Sequence, residues 1–576
     1  MKYPIIGEKD FNIKISKIFN RYKIKKKEFT YDEFCFKRKF KLQPPQEFLP
    51  FYINPKTDYK RLLVFHKIGS GKTCTAIRIA EKWKHFRKII ILLPASLKGN
   101  FRDELRSNCV ENTYITKSEK QQLKLLYPTN NLFKEIIKKS DEKINKYYKI
   151  LSYHKFVQLY DKGKINFRNT ILFVDEIQNM ISEKGKFYLT LKKAIDEAPS
   201  DLRIVFLSAT PMFDKPQEIS LLMNLLKTPN SLPIGTDFNN FFIKTKVSNG
   251  KYNFTVKNME LFKEKMQGFV SYFGGAPPYV FPEMKIKYIK CEMSDFQYGI
   301  YKKIMDNENT NSKILKFKTK EEILKKITME DLPNNFFTGT RIASNIVFPN
   351  KKIGSRGLES LTKHHILFHL HKYSVKFDLI INKIKKCTGK IFIYSNFKEY
   401  GGLKSLEKIL DTYGYKNYIN NGTGKKRYAI LSGDVNDKMR NDIKNIYNRI
   451  DNINGKKIKI ILGTPSVKEG ISFFNVRQVH ILEPYWNLSR MNQIMGRVNR
   501  FCSHKDLPEE QRKVKVYIYI VSHRMIETID EYIHYLATQK NKIIRGFETA
   551  LKESSIDCFL NENYLKYEKD DIICYK

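Results

Sequence analysis

"FHKIGSGKTCT", residues 65–75, is the stretch that decides the fold. Gly69-Ser70-Gly71-Lys72-Thr73 ends a G-x-x-x-x-G-K-[ST] phosphate-binding loop, but His66 stands where the first glycine of that pattern belongs. The apolar run "RLLVF" (61–65) leads in and the helical stretch "GKTCTAIRIAEKWKHF" leads out. A loop between a strand and a helix is the setting this chemistry needs. Backbone amides of Gly69, Ser70 and Gly71 can converge on phosphate oxygens, because glycine lets the chain approach closely. Lys72 is expected at the β- and γ-phosphates, and Thr73 on Mg²⁺ through its hydroxyl. The alternative, an ordinary Gly-rich turn, does not account for strand, loop, Lys-Thr and helix in register.

Outward from the loop, further short runs are apolar almost throughout: "KIIILLP" (88–94), "TILFVDE" (170–176) and "LRIVFLSAT" (202–210). Such runs suit strands buried on both faces of a parallel sheet, and helical text alternates with them. The pattern thins between 229 and about 360. It returns at "KIFIYSN" (390–396), "YAILSG" (428–433), "IKIILGT" (458–464), "VRQVHILEP" (476–484) and "VKVYIYIV" (514–521). The expected fold class is therefore α/β with two parallel-sheet lobes and an insertion between them. The expected divisions are a basic N-terminal extension (1–45), lobe 1 (46–228), an insertion or helical linker (229–365), lobe 2 (366–525) and a C-terminal helical tail (526–576).

Bulk properties set bounds. The 576 residues carry 105 Lys+Arg against 60 Asp+Glu, a formal charge of +45. That balance favours a polyanionic partner, most simply nucleic acid. The Lys, Ile, Asn, Tyr and Phe richness of an AT-rich genome would also produce it, so charge alone decides nothing. No apolar run approaches about 18 residues, so no transmembrane helix is expected. Charges break the N-terminal "MKYPIIGEKDFNIKISKIF", which does not read as a secretory signal. The eight cysteines include no C-x-x-C pair. Neither a zinc site nor a disulfide framework is expected, and a reducing compartment fits.

A phosphate loop needs a carboxylate at the end of another strand, and "ILFVDEIQN" supplies two. Asp175 is expected to help hold Mg²⁺, and Glu176 to polarise the attacking water. By itself an Asp-Glu pair is a solvated strand end; 103 residues after Lys72 (175 − 72), in the same α/β lobe, it is the acid pair a nucleotide motor requires. In the second lobe, Gln493-x-x-Gly496-Arg497-x-x-Arg500 reads as an arginine-finger motif. Two arginines three apart are expected to share one helix face and aim at a γ-phosphate when two lobes close on ATP. The alternative is that they brace the helix by pairing with acids such as Glu483. In "VKEGISF" (467–473), Glu469, Gly470 and Ser472 are expected to couple nucleotide to nucleic acid, with Gly470 at the ATP.

These motifs resemble the poxvirus nucleoside triphosphatase I group, Swi/Snf-related superfamily 2 helicases of large cytoplasmic DNA viruses and yeast cytoplasmic linear plasmids. The matching text is "LLVFHKIGSGKTCTAI", "LSATPMFDKPQEISLLMNLL", "GFVSYFGG", "EGISFF" and "QIMGRVNRFCSHKDLPEEQRKVKVYIYI", over roughly residues 43 to 525. "GKIFIYSNFKEYGGL" (389–403) is similar to a cousin, the small subunit of the poxvirus early transcription factor. The resemblance implies RecA-like lobes and hydrolysis of ATP with Mg²⁺. It makes His66 a lineage mark without a catalytic role, packed or capping the loop. It implies that Gln46 reads the adenine edge, although a lone Gln in the Pro-rich "QPPQEFLPFYINP" is otherwise just a polar loop residue. Ser208-Ala209-Thr210 corresponds to the helicase linker motif, and Gln178 stands where His is common, able to hydrogen-bond toward that linker. Lys98, Lys155, Ser395 and Thr464 fall where such motors hold phosphates without reading bases. The implied partners are nucleic acid, DNA before RNA, and an RNA polymerase or other transcription factors, with no membrane, as a monomer or within a hetero-complex. The implied place is the cytoplasm: a viral factory, a virion or a cytoplasmic plasmid. The implied role is termination or elongation of transcription; the alternatives are a duplex-unwinding RNA or DNA helicase and an initiation-factor subunit. The text after 525 is too short for a recognisable DNA-reading module.

Overall fold

The computed structural model describes residues 3–24, 30–37, 40–126, 130–228, 231–248, 251–311, 337–465, 471–568 and 570–576. It forms two compact units. The first comprises Met1–Lys244, Phe254–Pro278 and Lys542–Lys576; the second comprises Thr245–Asn253 and Tyr279–Asn541.

The first unit is built on strands β1 (Arg61–His66), β2 (Lys88–Leu93), β3 (Tyr148–Ser152), β4 (Thr170–Asp175) and β5 (Arg203–Ser208). β6 (Ile243–Ser248) and β7 (Lys251–Val256), whose residues Thr245–Asn253 are assigned to the second unit, pair only with each other, and β8 (Val270–Phe273) completes the first unit's main sheet. Its order is β3-β2-β4-β5-β1-β8, parallel throughout. Every residue of β4 and β5 is buried. That is why these strands read as unbroken apolar runs: helices cover both faces of a parallel sheet. The helix Lys72–Trp83 buries Ile77, Ile79, Ala80 and Trp83 against it. Each fully buried large side chain contributes about 1.5–3 kcal/mol.

The second unit contains β9 (Glu283–Glu292), β10 (Lys390–Tyr394), β11 (Lys416–Asn417), β12 (Arg427–Leu431), β13 (Ile460–Gly463), β14 (Val476–Ile481) and β15 (Lys513–Ser522). The order is β11-β12-β13-β10-β14-β15-β9, again all parallel. β9 runs alongside β15 over ten residues, from Glu283↔Lys513 to Glu292↔Ser522.

Three departures from the sequence reading follow. First, the 229–365 segment is not an insertion without sheet: β8 extends one sheet and β9 the other. β8 is four residues long, and β9 is an edge strand with only Cys291 buried, so neither stands out as an apolar run. Second, both chain ends belong to the first unit. Phe11, Ile15 and Phe19 share its core with Ile556 and Leu560, and the Ile556 amide donates to the Val270 carbonyl at 2.8 Å. Third, the expectation of no disulfide framework fails. Cys74 bonds Cys109, with Cα atoms 5.8 Å apart, and Cys558 bonds Cys574. Spacing could not reveal the first pair. The fold lays the short turn Asn108–Val110 against the start of the helix Lys72–Trp83. Among the described residues, no helix is long and apolar enough to cross a membrane.

Candidate nucleotide site

β1 delivers the phosphate loop to the C-terminal edge of the first sheet. Gly69 (φ +83°) and Gly71 (φ +79°) occupy the left-handed region that favours glycine. A Cβ on Gly71 would lie 2.3 Å from Gln46 Nε2, so the loop is also sterically closed to larger residues. Ser70 is buried and its Oγ has no hydrogen-bond partner. The helix begins at Lys72, and its first amides point toward the loop, with Thr73 half-buried in that first turn.

β4 brings the acids to the same edge. Asp175 is buried, and its Oδ1 accepts from the Glu176 amide at 3.0 Å. Glu176 itself has φ +54°, a strained value for a residue with a side chain. Tyr153 holds that turn: its hydroxyl donates to the Asp175 carbonyl and, at 3.1 Å, to that of Glu176. The strained turn aims the Glu176 carboxylate at the loop, where Oε1 lies 2.9 Å from Lys72 Nζ.

β5 supplies the next link. Gln178 Nε2 donates to Glu176 Oε2 at 2.5 Å, and Gln178 Oε1 accepts from Ser208 Oγ at 2.6 Å. Ser208 Oγ in turn accepts from the Thr210 amide at 3.0 Å, with Ala209 between them. One amide side chain thus joins the acid to the end of β5. An amide does this as an imidazole would, with one donor and one acceptor.

Gln46 is buried and spans two backbone groups: its Oε1 accepts from the Gln43 amide at 2.7 Å and its Nε2 donates to the Gly71 carbonyl at 3.1 Å. It therefore fixes the phosphate loop, a role the sequence did not suggest. His66 is fully buried, and burial, aided by the charge of Lys72, pushes its imidazole down to about 3, so it is neutral. Its Nε2 meets Ser271 Oγ at 3.0 Å, and that hydroxyl donates to Asp557 Oδ2 at 2.6 Å. His66 is thus a packed residue tying β1 to β8 and to the C-terminal segment. Nearby, Lys67 of the loop is paired with Glu568 at 2.7 Å. Neither Asp557 nor Glu568 carries a sequence motif that could have flagged it.

These residues fit a magnesium nucleotide. The glycine cradle, the orphaned Ser70 hydroxyl, the lysine and a buried carboxylate form the donor set it requires. On the same edge, Lys98 is half-buried at the start of the helix Lys98–Leu105 after β2. Lys155 is exposed in the helix Tyr153–Asp161 after β3.

In the second unit the structure corrects several expectations. Gln493 lies in the helix Leu488–Met495, but Arg497 and Arg500 come after its end. The chain tightens into turns there, with the Arg497 amide donating to Ile494 and the Arg497 carbonyl accepting from the Phe473 amide at 2.8 Å. The two arginines therefore do not share a helix face. Ser395, expected at a phosphate, is fully buried: its Oγ donates to Glu483 Oε1 at 2.6 Å and accepts from the Phe397 amide. Thr464 is buried and its hydroxyl donates to the Leu431 carbonyl at 3.4 Å. Gly470 and Glu469 lie outside the described residues. Glu483, two residues past β14, is a hub that the sequence named only as a possible partner of the arginines. It is 1 % exposed and also accepts from Asn345 Nδ2 at 2.6 Å and the Asn396 amide at 2.9 Å.

Comparison with known proteins agrees with this arrangement. Residues 46–335 match the SNF2-related domain, and 375–502 match the helicase conserved C-terminal domain. A protein of Acanthamoeba polyphaga mimivirus, "Putative ATP-dependent RNA helicase R563", is 48% identical over 577 residues, covering 100% of this chain and 99% of that one. "Termination factor NPH-I homolog" of African swine fever virus (isolate Warthog/Namibia/Wart80/1980) is 25% identical over 89% of this chain and 78% of that one. Among solved structures, the Pyrococcus furiosus Hef helicase domain is similar over 86% of this chain and 97% of that one, at 12% identity and a TM-score of 0.44. The chain belongs to the SNF2-related helicases, in the company of helicases and termination-factor homologues of large DNA viruses, and is an ATP-hydrolysing enzyme.

Proposed function

We propose that the chain is an ATP-driven motor that tracks on DNA and serves termination or elongation by a viral RNA polymerase. The observation that carries this reading is the chain Lys72–Glu176–Gln178–Ser208. A phosphate-sensing lysine and a water-activating acid are joined by one amide to a strand end, which is the wiring a motor needs. Asp175 and Thr73 would hold Mg²⁺, which supplies positive charge to the phosphate oxygens when bound. Glu176 orients and deprotonates the water, and Arg497 and Arg500 offset charge developing on the γ-phosphate. Lys98 and Lys155 are assigned to the phosphates of the track. The proposed place is a viral factory or virion.

A second reading, an RNA-directed unwinding helicase, is favoured by the printed name of the mimivirus relative. The two are separated by measuring ATP turnover with duplex DNA, single-stranded DNA and RNA offered singly. The DNA-motor reading expects duplex DNA to stimulate most. Stimulation by RNA alone would overturn it.

A further inference from the structure

The first sheet has a second end. Its nucleotide motifs all sit at the C-terminal edge, while the N-terminal ends of β2, β3 and β4 lie about 20 Å away, the length of a six-residue strand. A cavity of about 600 Å³ opens there. None of the residues lining it is acidic. Lys88 begins β2, Lys146 and Lys149 flank the start of β3, and Lys164 lies in the loop before β4. No ion pair ties any of these four to a carboxylate among the described residues. Two other cations at the rim are already engaged, Lys84 with Glu81 and Arg87 with Asp201.

The cavity also has aromatic surface. Tyr147 and His85 meet edge to face, with ring centroids 5.6 Å apart. The ammonium groups of Lys84 and Lys146 lie 5.5 and 5.6 Å from the Tyr147 centroid. Phe86 beside them is 62% exposed. Unneutralised lysines around the exposed rings of His85 and Phe86 and the half-buried ring of Tyr147 suit a ligand that offers both phosphates and unstacked bases. Duplex DNA offers a convex backbone and hides its bases, so it cannot use the rings.

We propose that this cavity binds single-stranded nucleic acid, its phosphates on Lys88, Lys146, Lys149 and Lys164 and a base against Tyr147, as a contact separate from the motor track. The proposal rests on the reading of the chain as a nucleic-acid motor.

The test uses the full chain with fluorescent dT20 and with a 20-base-pair duplex. A triple variant carries Lys88→Gln, Lys146→Gln and Lys149→Gln; a second carries Tyr147→Leu. Each lost lysine contact should lower the log–log salt slope on a single strand by about 0.7, so the triple variant should lose about 2. Tyr147→Leu should weaken dT20 binding about tenfold, the effect of one lost stacking contact. Duplex affinity and ATP turnover without nucleic acid should stay at wild-type values in both variants, and the triple lysine variant should keep its melting temperature. An unchanged slope on dT20 overturns the proposal, as does equal loss on the duplex. A response confined to inorganic phosphate would make the cavity a small-anion site and overturn it too. A wild-type chain whose turnover no nucleic acid stimulates would instead defeat the motor reading.

Discussion

A glutamate follows the end of each of β4 and β14, Glu176 by one residue and Glu483 by two, and the two glutamates do opposite things. Glu176 is 22% exposed at its side chain and faces a lysine at 2.9 Å. Glu483 is 1% exposed and is held by a serine hydroxyl, an asparagine amide and a backbone amide. The first acid is balanced by a flexible cation that an incoming phosphate can draw away. The second is held by neutral donors, two buried side chains and one backbone amide, with no flexible cation among them to be drawn away. An acid at the end of a parallel strand therefore acquires its role from its neighbours, and strand-end position alone does not assign it.

This contrast can be broken from either side. The largest effect is expected at the reactive end. Lys72→Ala should lower turnover by at least about 10³-fold, since it removes a charge aimed at the transferred phosphoryl group. Nucleic-acid binding, spread over many phosphate contacts, should persist in a filter-binding assay. At the other end, Glu483→Ala should cost about 3 kcal/mol of stability, because it orphans buried donors on Ser395, Asn345 and Asn396. Chemical denaturation measures this, and turnover per folded molecule should hold. A loss of turnover without loss of stability would make Glu483 a catalytic acid and erase the distinction.

Arg500→Ala should lower nucleic-acid-stimulated kcat about 10²-fold while ATP affinity changes little. Arg500→Lys that keeps normal turnover but melts earlier would return the arginines to a structural role. A smaller effect concerns His480. Burial pushes its imidazole down to about 3, and Tyr519 and Gln478 hold it neutral. The unfolded chain takes up that proton below about pH 6.5, so it binds more protons than the native state between pH 6.5 and 3. Stability from this group is full above pH 6.5 and falls as pH drops through that window. His480→Leu should flatten the pH dependence of stability by about 2 kcal/mol at pH 5, read from denaturant midpoints.

Much of the site was legible because its chemistry is local in sequence. The loop, Lys72 and the Asp175-Glu176 pair each sit where an apolar run stops, and the run and the stop are both visible. What escaped depends on contacts between distant segments. Ser395 follows a strand as a phosphate-binding serine would, yet Glu483, 88 residues on, claims its hydroxyl. Cys74 and Cys109 meet only because a turn packs on the first helix. Gln46 touches a loop carbonyl that no spacing rule predicts. β9 was hidden for a different reason: an edge strand keeps its polar residues. Arg497 and Arg500 were given the wrong local geometry because three-residue spacing implies a shared face only while the helix lasts.

The central claim is a division of labour at the end of β4: Asp175 belongs to the metal and Glu176 to the water. Glu176→Gln preserves size and the capacity to hydrogen-bond Gln178 while removing the base. ATP binding and turnover should be measured side by side on this variant, with duplex DNA present. The account predicts ATP affinity within a few-fold of wild type and turnover lower by about 10²–10³-fold. Equal loss of both, or turnover that survives, would contradict it.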